Sequence, residues 1–364
     1  MRISEVEVVL LKKTLVKPLV LSRGEIGERR FAFVLVHTDE GVSGVGEGVG
    51  DPALVQAALE RRLKPILIGE DPRDIERLWR KMFAGAVYWD LKGGLLTAIS
   101  AVDIALWDLK AKALGVPVYQ LLGGSFRGRV KAYASDLFWD EPEVMAEAAA
   151  RYVADGFSIV KTHVGRDQEG DMARVRAIRR AIGDRAALMI DINGNFDRPT
   201  ALSMGKRFEE VNPFWYEEPL PPYDLEGYRE LKERLDLPIA AGENEFTKYG
   251  FLELFQRGAV DYAMPDIARV GGLTEAVKIC ALAEAFNIPC SPHSYSSGVL
   301  LAATLHLMAA LPGTDLLEFD VTGTSIYEEL FLEPLSVREG FVSVPHGVGL
   351  GVELKEEIRR QYAL

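Results

Sequence analysis

Two cysteines in 364 residues, Cys280 and Cys290, provide no disulfide framework for the fold. Both sit in apolar surroundings and read as small buried hydrophobes rather than as reactive thiols. The chain also lacks any apolar run of about eighteen residues, which excludes a membrane-spanning helix. Its first residues, Met1-Arg2-Ile3-Ser4-Glu5, carry neither the basic nor the apolar region of a secretory signal, so a cytoplasmic protein is expected. Positive charge is scarce: 42 Lys and Arg against 54 Asp and Glu leave a formal charge of -12. That balance argues against unspecific attachment to nucleic acid or to an anionic membrane surface. An anionic substrate must then be held by positive charge placed locally.

What is present is an ordinary globular composition, 48% hydrophobic and 26% charged, in a chain too long for one simple core, so two domains are expected. From Arg129 to Asp320 short β-type runs alternate with amphipathic stretches, the pattern of a parallel sheet wrapped by helices. The predicted strands are Val130–Ser135, Ser158–His163, Ala187–Asp191, Phe214–Glu217, Pro238–Glu243, Tyr262–Asp266, Pro289–His293 and Leu316–Glu318, enough to close a barrel. Apolar stripes such as Met172, Val175, Ile178 and Ile182 have helical spacing and face the barrel wall.

The first 125 residues read as a small α+β domain. Val6, Val8 and Leu10 alternate along one strand, and Phe31 to His37 runs through Asp39-Glu40-Gly41 into Val42 as a hairpin. Helical segments follow around 53–67, 74–83 and 96–114. The expected boundaries are a capping domain over 1–125, completed by 321–364, and a catalytic β/α barrel over 126–320. The glycine-rich stretch Gly44 to Gly50 follows a hairpin instead of opening a helix, which rejects a dinucleotide loop. It is expected to be a mobile loop over the substrate, with Val16 to Arg30 a second lid carrying Arg23, Glu25 and Arg29, joined by Tyr88 and Trp89.

Seven chemically loaded residues end successive predicted strands: Lys161, Asp191, Glu217, Glu243, Asp266, His293 and Glu318. A parallel β/α barrel gathers such positions on its catalytic face. A single strand-end acid usually caps a helix or faces solvent. Asp191, Glu217 and Glu243 stand in register, however, and three converging carboxylates repel one another unless a hard cation lies between them, Mg²⁺ ahead of Mn²⁺. Asn193 is placed to brace that site. In Lys161-Thr162-His163 the two basic residues point the same way, and both are candidate bases, Lys161 with a lowered pKa. Asp266 one strand before His293 makes a carboxylate–imidazole pair, in which the acid fixes the tautomer and leaves the second nitrogen for proton transfer.

These residues, with Ala105-Leu106-Trp107-Asp108-Leu109-Lys110-Ala111-Lys112, Gly115 and Leu121-Leu122-Gly123-Gly124, resemble the enolase superfamily and within it the mandelate racemase subgroup, over essentially the whole chain. The resemblance implies a modified TIM barrel of the (β/α)7β type under an α+β cap. It implies Asp191, Glu217 and Glu243 as Mg²⁺ ligands, His293 with Asp266 as the dyad on one substrate face, and Glu318 as a partner for the developing enolate. Glu318, if protonated, donates a hydrogen bond there. Ser135 is implied as a substrate contact, and Arg23, Glu47 and Asn193 are further candidates. The chemistry implied is removal of the proton next to a carboxylate. Polar lid residues favour dehydration of a sugar acid to a 2-keto-3-deoxy acid, with a racemase or epimerase of 2-hydroxy acids and a sugar-acid lactone cycloisomerase as alternatives.

Most of that subgroup carries lysine where this chain has His163, which leaves His163 either to shuttle the proton or to contact a substrate hydroxyl. Asp266 stands where the muconate-lactonizing and dipeptide-epimerase type has lysine, which disfavours that type. The family also implies a small anionic hydroxy acid as substrate and a symmetric dimer or octamer. A reading of another class is a non-catalytic metal-binding protein that keeps the fold.

Overall fold

The computed structural model describes residues 1–364. Its amino-terminal part is a three-stranded antiparallel sheet in which β1 (Ile3–Leu21) and β2 (Gly24–Thr38) form one long hairpin and β3 (Ser43–Gly48) pairs with β2. The sheet lies against helix Gly94–Leu114, whose residues from Leu95 to Leu106 are all buried. A helix apolar on every side has no solvent face, so it is enclosed between the sheet, the helices Pro52–Ala58 and Ile75–Ala86, and the barrel.

One expectation about this part is corrected. The glycine-rich stretch is no mobile loop: Gly44 to Gly48 belong to β3 and are pressed onto the enclosed helix. An added Cβ would lie 2.0 Å from the Ala105 carbonyl oxygen at Gly44 and 1.9 Å from that of Ala101 at Gly46. Absent side chains are what permit that backbone approach. Gly46→Ala is therefore expected to destabilise the fold by about 3 kcal/mol or more, read from urea melts, because a backbone carbonyl cannot rotate out of the way. An unchanged midpoint would mean the sheet and helix are not held this tightly. Val16 to Arg30, expected as a second lid, is the distal half of the β1–β2 hairpin, and its Leu19, Leu21, Ile26, Arg29 and Arg30 line the same cavity as Lys161 and His293. Pro18, which has no N–H to donate, falls inside the register irregularity between Thr14 and Leu19.

The barrel comprises β4 (Arg129–Ser135), β5 (Ile159–His163), β6 (Ala187–Asp191), β7 (Tyr216–Glu217), β8 (Ile239–Ala241) and β9 (Tyr262–Ala263), paired in parallel in chain order. β10 (Leu317–Asp320) pairs back onto β4. The predicted strand Pro289–His293 shrinks to Cys290, bridged to Ala263 on one side and Thr314 on the other. The predicted strands around Glu217, Glu243 and Asp266 are also shorter: the first keeps its end but begins only at Tyr216, the second leaves the ladder at Gly242, with φ 136°, and the third stops at Ala263. Both cysteines are buried and unbridged.

After β10, the hairpin β11 (Val337–Arg338) and β12 (Phe341–Ser343) lies antiparallel to the start of β4. The chain then passes through helix Glu356–Gln361 to the first sheet, where Ala363 bridges Leu11 and Arg359 pairs with Glu7 at 3.0 Å. No helix is long and apolar enough to cross a membrane.

The barrel floor explains the site above it. Tyr133, Ile159, Met189, Trp215, Ala240, Met264 and Leu316 form one buried apolar cluster. Side chains two apart on a strand share a face. Counting two residues onward from six of these gives Ser135, Lys161, Asp191, Glu217, Asp266 and Glu318, a polar layer seated on an apolar one.

Candidate active site

Lys161 is the hub of that polar layer. Its Nζ donates to Glu217 Oε1 at 2.7 Å, lies 2.8 Å from Glu318 Oε1 and 3.6 Å from Asp191 Oδ2, and is almost wholly buried. Burial alone would lower its pKa, but the charges of Glu217, Glu318 and Asp191 outweigh that cost and hold the ammonium well above its ordinary range. The direction is opposite to the lowered pKa expected: the surrounding acids favour the ammonium form of Lys161. Glu318 likewise departs from expectation. Burial would raise its pKa, yet Lys161, His293 and the Ser294 N–H at 3.0 Å keep it ionised, as an acceptor. Ser135 donates to Glu318 Oε1 at 2.8 Å from a fully buried position, so it braces Glu318 where a substrate contact was expected.

One carboxylate oxygen from each of Asp191, Glu217 and Glu243 lies within 4.8 Å of the others. Burial and mutual repulsion hold Glu217 well above, and Glu243 above, the usual carboxylate range, with Lys161 insufficient to neutralise the cluster. Asp191 is lowered, since Lys161, His163 and the Asn193 N–H outweigh its burial. An all-oxygen set with surplus negative charge fits a hard divalent cation, with these three side chains to hold it. The set is braced from behind: the Trp215 Nε1 donates to Glu217 Oε2 at 2.8 Å, while Asn193 donates to Asp191 through its backbone N at 2.7 Å and Nδ2 at 3.0 Å. Asn193 does so from φ 52°, a conformation asparagine tolerates better than most residues.

Across the cavity, His293 Nδ1 lies 2.7 Å from Asp266 Oδ2. The other Asp266 oxygen accepts the Ala268 N–H at 2.8 Å, so the carboxylate is fixed at both ends and His293 carries its proton on Nδ1. His293 Nε2 faces the acids, 3.4 Å from Glu243 Oε2 and 3.6 Å from Glu318 Oε2. Burial would lower the imidazole pKa, but Glu243, Glu318 and Asp266 together push it up to about 10.

His163, one layer above Lys161, stacks on Phe138 with ring centroids 4.4 Å apart and planes within 4°. Its Nδ1 lies 3.3 Å from both Asn193 Oδ1 and Asp191 Oδ2, and its Nε2 is buried without a partner. These residues line a cavity of about 260 Å³ with Phe138 and Tyr295, which sequence reasoning missed. Neither aromatic lies in a strand, and no spacing signal marked them.

Arg23, Glu47, Tyr88 and Trp89 do not line this cavity. Arg23, at the hairpin turn, donates to the carbonyls of Asn193, at 2.8 Å, and Gly194. It fastens the hairpin tip to the loop after β6. Glu47 is fully buried, accepting from Ser296 Oγ at 2.6 Å, from Ser297 Oγ, and from the Leu300 N–H at 3.1 Å. It ties β3 to the start of helix Gly298–Ala310, so its part is structural where a substrate contact was expected. Tyr88 is exposed and Trp89 stacks under Arg62 at 3.8 Å, outside the cavity.

Residues 3–123 match the mandelate racemase/muconate lactonizing enzyme N-terminal domain family, and residues 144–358 the enolase C-terminal domain-like family. A D-galactarolactone cycloisomerase of Agrobacterium fabrum is 34% identical over 376 residues, covering 100% of this chain and 99% of the relative. An arabinonate dehydratase of Saccharolobus solfataricus is 33% identical over 333 residues, 90% of this chain and 89% of the relative. The crystal structure of a racemase from Streptomyces coelicolor A3(2) with bound magnesium superposes with a TM-score of 0.92 at 30% identity, covering 100% of both chains. The chain therefore belongs to the mandelate racemase and muconate lactonizing enzyme family of the enolase superfamily.

Proposed function

We propose that this protein removes the proton α to the carboxylate of a small hydroxylated acid and that the resulting enolate expels its β-hydroxyl, giving a 2-keto-3-deoxy acid. The observation that carries this reading is the Asp266–His293 pair, whose free Nε2 faces the Lys161 and acidic layer across the cavity. Such a proton is very weakly acidic because its conjugate base carries a second negative charge. Mg²⁺ held by Asp191, Glu217 and Glu243 would supply charge stabilisation that grows as the enolate forms, and Mn²⁺ would suit the same oxygens. Lys161, already favoured as the ammonium, adds to it without reorganising. With the Glu243 charge committed to such a cation, the strongest pull raising the His293 pKa would be weakened, which would leave Nε2 to accept the α-proton. The same imidazolium can protonate the departing hydroxyl as water. His163, with Nε2 unpartnered, contacts a substrate hydroxyl.

In this reading the barrel, 126–320, performs the chemistry, and the cap, 1–125 with 321–364, shapes the cavity. The enzyme is a cytoplasmic homo-oligomer, a dimer or octamer. A lactone cycloisomerase is the second reading, favoured by the relative of that activity aligned over the full chain. Incubation with Mg²⁺ in D₂O and a panel of aldonic, aldaric and mandelic acids and sugar-acid lactones, followed by ¹H NMR, tests the proposal. Loss of the α-proton signal with appearance of a 2-keto-3-deoxy acid is the expected result. Lactone isomerisation without a keto product would select the second reading. No exchange with any acid would favour a non-catalytic protein.

A further inference from the structure

Four cationic side chains line the 260 Å³ cavity: Arg29, Arg30, Lys161 and Arg269. Lys161 is committed to the acidic layer, and Arg30 is paired with Glu28 at 2.5 Å. Arg29 and Arg269 have no carboxylate within ion-pair distance. Arg29 follows Glu28 on β2 and is buried, whereas Arg30 beside it is exposed to solvent although it too touches the cavity. Arg29 is only 9% exposed. It packs over the Tyr295 ring at 4.8 Å and spends one N–H on the Tyr295 carbonyl at 2.6 Å. The Arg269 Nε is buried with no hydrogen-bond partner.

Buried charges are paired, because an unpaired one forfeits its hydration with no return. Asp191, Glu243, Asp266 and Glu318 line the same cavity, yet none pairs with either guanidinium, and in a chain of charge -12 two such unpaired cations mark where an anion binds. The acids of the polar layer lie with Lys161 and His293 and do not reach Arg29.

We infer that Arg29, assisted by Arg269, receives a second carboxylate, at the end of the substrate remote from the reacting carbon, and hence that the preferred substrate is an open-chain sugar diacid. The inference rests on the enolate reading above. One carboxylate of the diacid sits at Lys161 and the acidic triad, and the other takes the N–H groups of Arg29 left free by Tyr295. A monoacid or a lactone presents a neutral far end and leaves the guanidinium unpaired, which penalises it. The cavity, below the roughly 300–1,000 Å³ of pockets for drug-sized ligands, suits a short chain.

The test compares kcat/KM and the rate of α-proton exchange for galactaric and glucaric acids with those for galactonic and gluconic acids, their lactones and 6-phosphogluconate, using the Mg²⁺-loaded protein and Arg29→Gln. Glutamine retains a donor for the Tyr295 carbonyl while removing the charge, and circular dichroism checks the fold. Wild type is expected to prefer a diacid, and Arg29→Gln to lower the diacid-to-monoacid ratio by about 30- to 100-fold, the scale of a lost charge-assisted hydrogen bond. Arg29→Lys, which keeps the charge but loses the planar fork, is expected to recover part of that ratio. A wild-type preference for the monoacids, the lactones or the phosphorylated acid would overturn the proposal, as would equal loss on both acid classes in Arg29→Gln. Exchange with monoacids alone would overturn the diacid assignment and leave the enolate reading standing, whereas exchange with no acid would remove both.

Discussion

His293→Asn is expected to lower kcat by about 10³- to 10⁴-fold and to abolish α-proton exchange in D₂O while leaving the fold intact, since a positioned general base contributes on that scale. The Asp266 carboxylate accepts from Nδ1 at 2.7 Å and is itself fixed by the Ala268 N–H, so Nε2 alone is left to exchange protons. Asparagine preserves a polar side chain near Asp266 but has no second nitrogen that can be protonated at neutral pH. Asp266→Asn is expected to cost about 10²-fold or more by releasing the tautomer. His163→Ala separates the two histidines. A wild-type exchange rate in His163→Ala, with none in His293→Asn, assigns base chemistry to His293 alone. Exchange at the wild-type rate in His293→Asn would defeat the mechanism proposed here.

The strand-end row was legible in the sequence because it is local: five of its seven members lie two residues beyond a buried floor residue on a short apolar run, and that period shows in the string of letters. Lys161, Asp191, Glu217, Asp266 and Glu318 all follow this rule. The charge states were not legible, because they depend on partners far apart in the chain. Lys161 reads as a candidate base until Glu217 and Glu318, 56 and 157 positions later, are brought to within 2.8 Å of it. Glu47 failed for the same reason, as its three partners lie some 250 positions away. Gly44 to Gly48 were misread because glycine marks both a flexible loop and a strand pressed against another backbone, and only helix Gly94–Leu114 distinguishes them. The seventh barrel strand was overlong for a different reason: Pro289 and Pro292 flank Cys290 and cannot donate to a ladder, so one bridged residue is all the segment sustains.

Chelating the divalent cation is expected to abolish turnover, and Glu217→Gln should show that the same carboxylates set both activity and stability. Loss of the cation removes several kcal/mol of transition-state stabilisation, a fall of about 10³-fold or more in kcat, restored by adding Mg²⁺ back. Binding to the folded state alone should also stabilise the protein by about 2.7 kcal/mol at a hundredfold excess over Kd. Glu217→Gln should separate these effects. Burial and the charges of Asp191, Glu318 and Glu243 already hold Glu217 well above the usual carboxylate range against the pull of Lys161, so its neutral form is the easier one to bury when no cation is bound. Glutamine copies that neutral form and keeps one acceptor, for either Lys161 Nζ or Trp215 Nε1, at the cost of the other hydrogen bond, while Lys161 retains its contact with Glu318 at 2.8 Å and the acidic cluster loses a charge. The chelated variant should therefore melt no lower than the chelated wild type, while its Mg²⁺-dependent rise in Tm is largely lost and its kcat falls with it. Thermal melts of both proteins in EDTA and in Mg²⁺ provide the comparison. A full Mg²⁺-dependent rise in Glu217→Gln would remove Glu217 from the metal set, and a sharply lower melt in EDTA would show that Lys161 needs the Glu217 charge more than the acidic cluster is burdened by it.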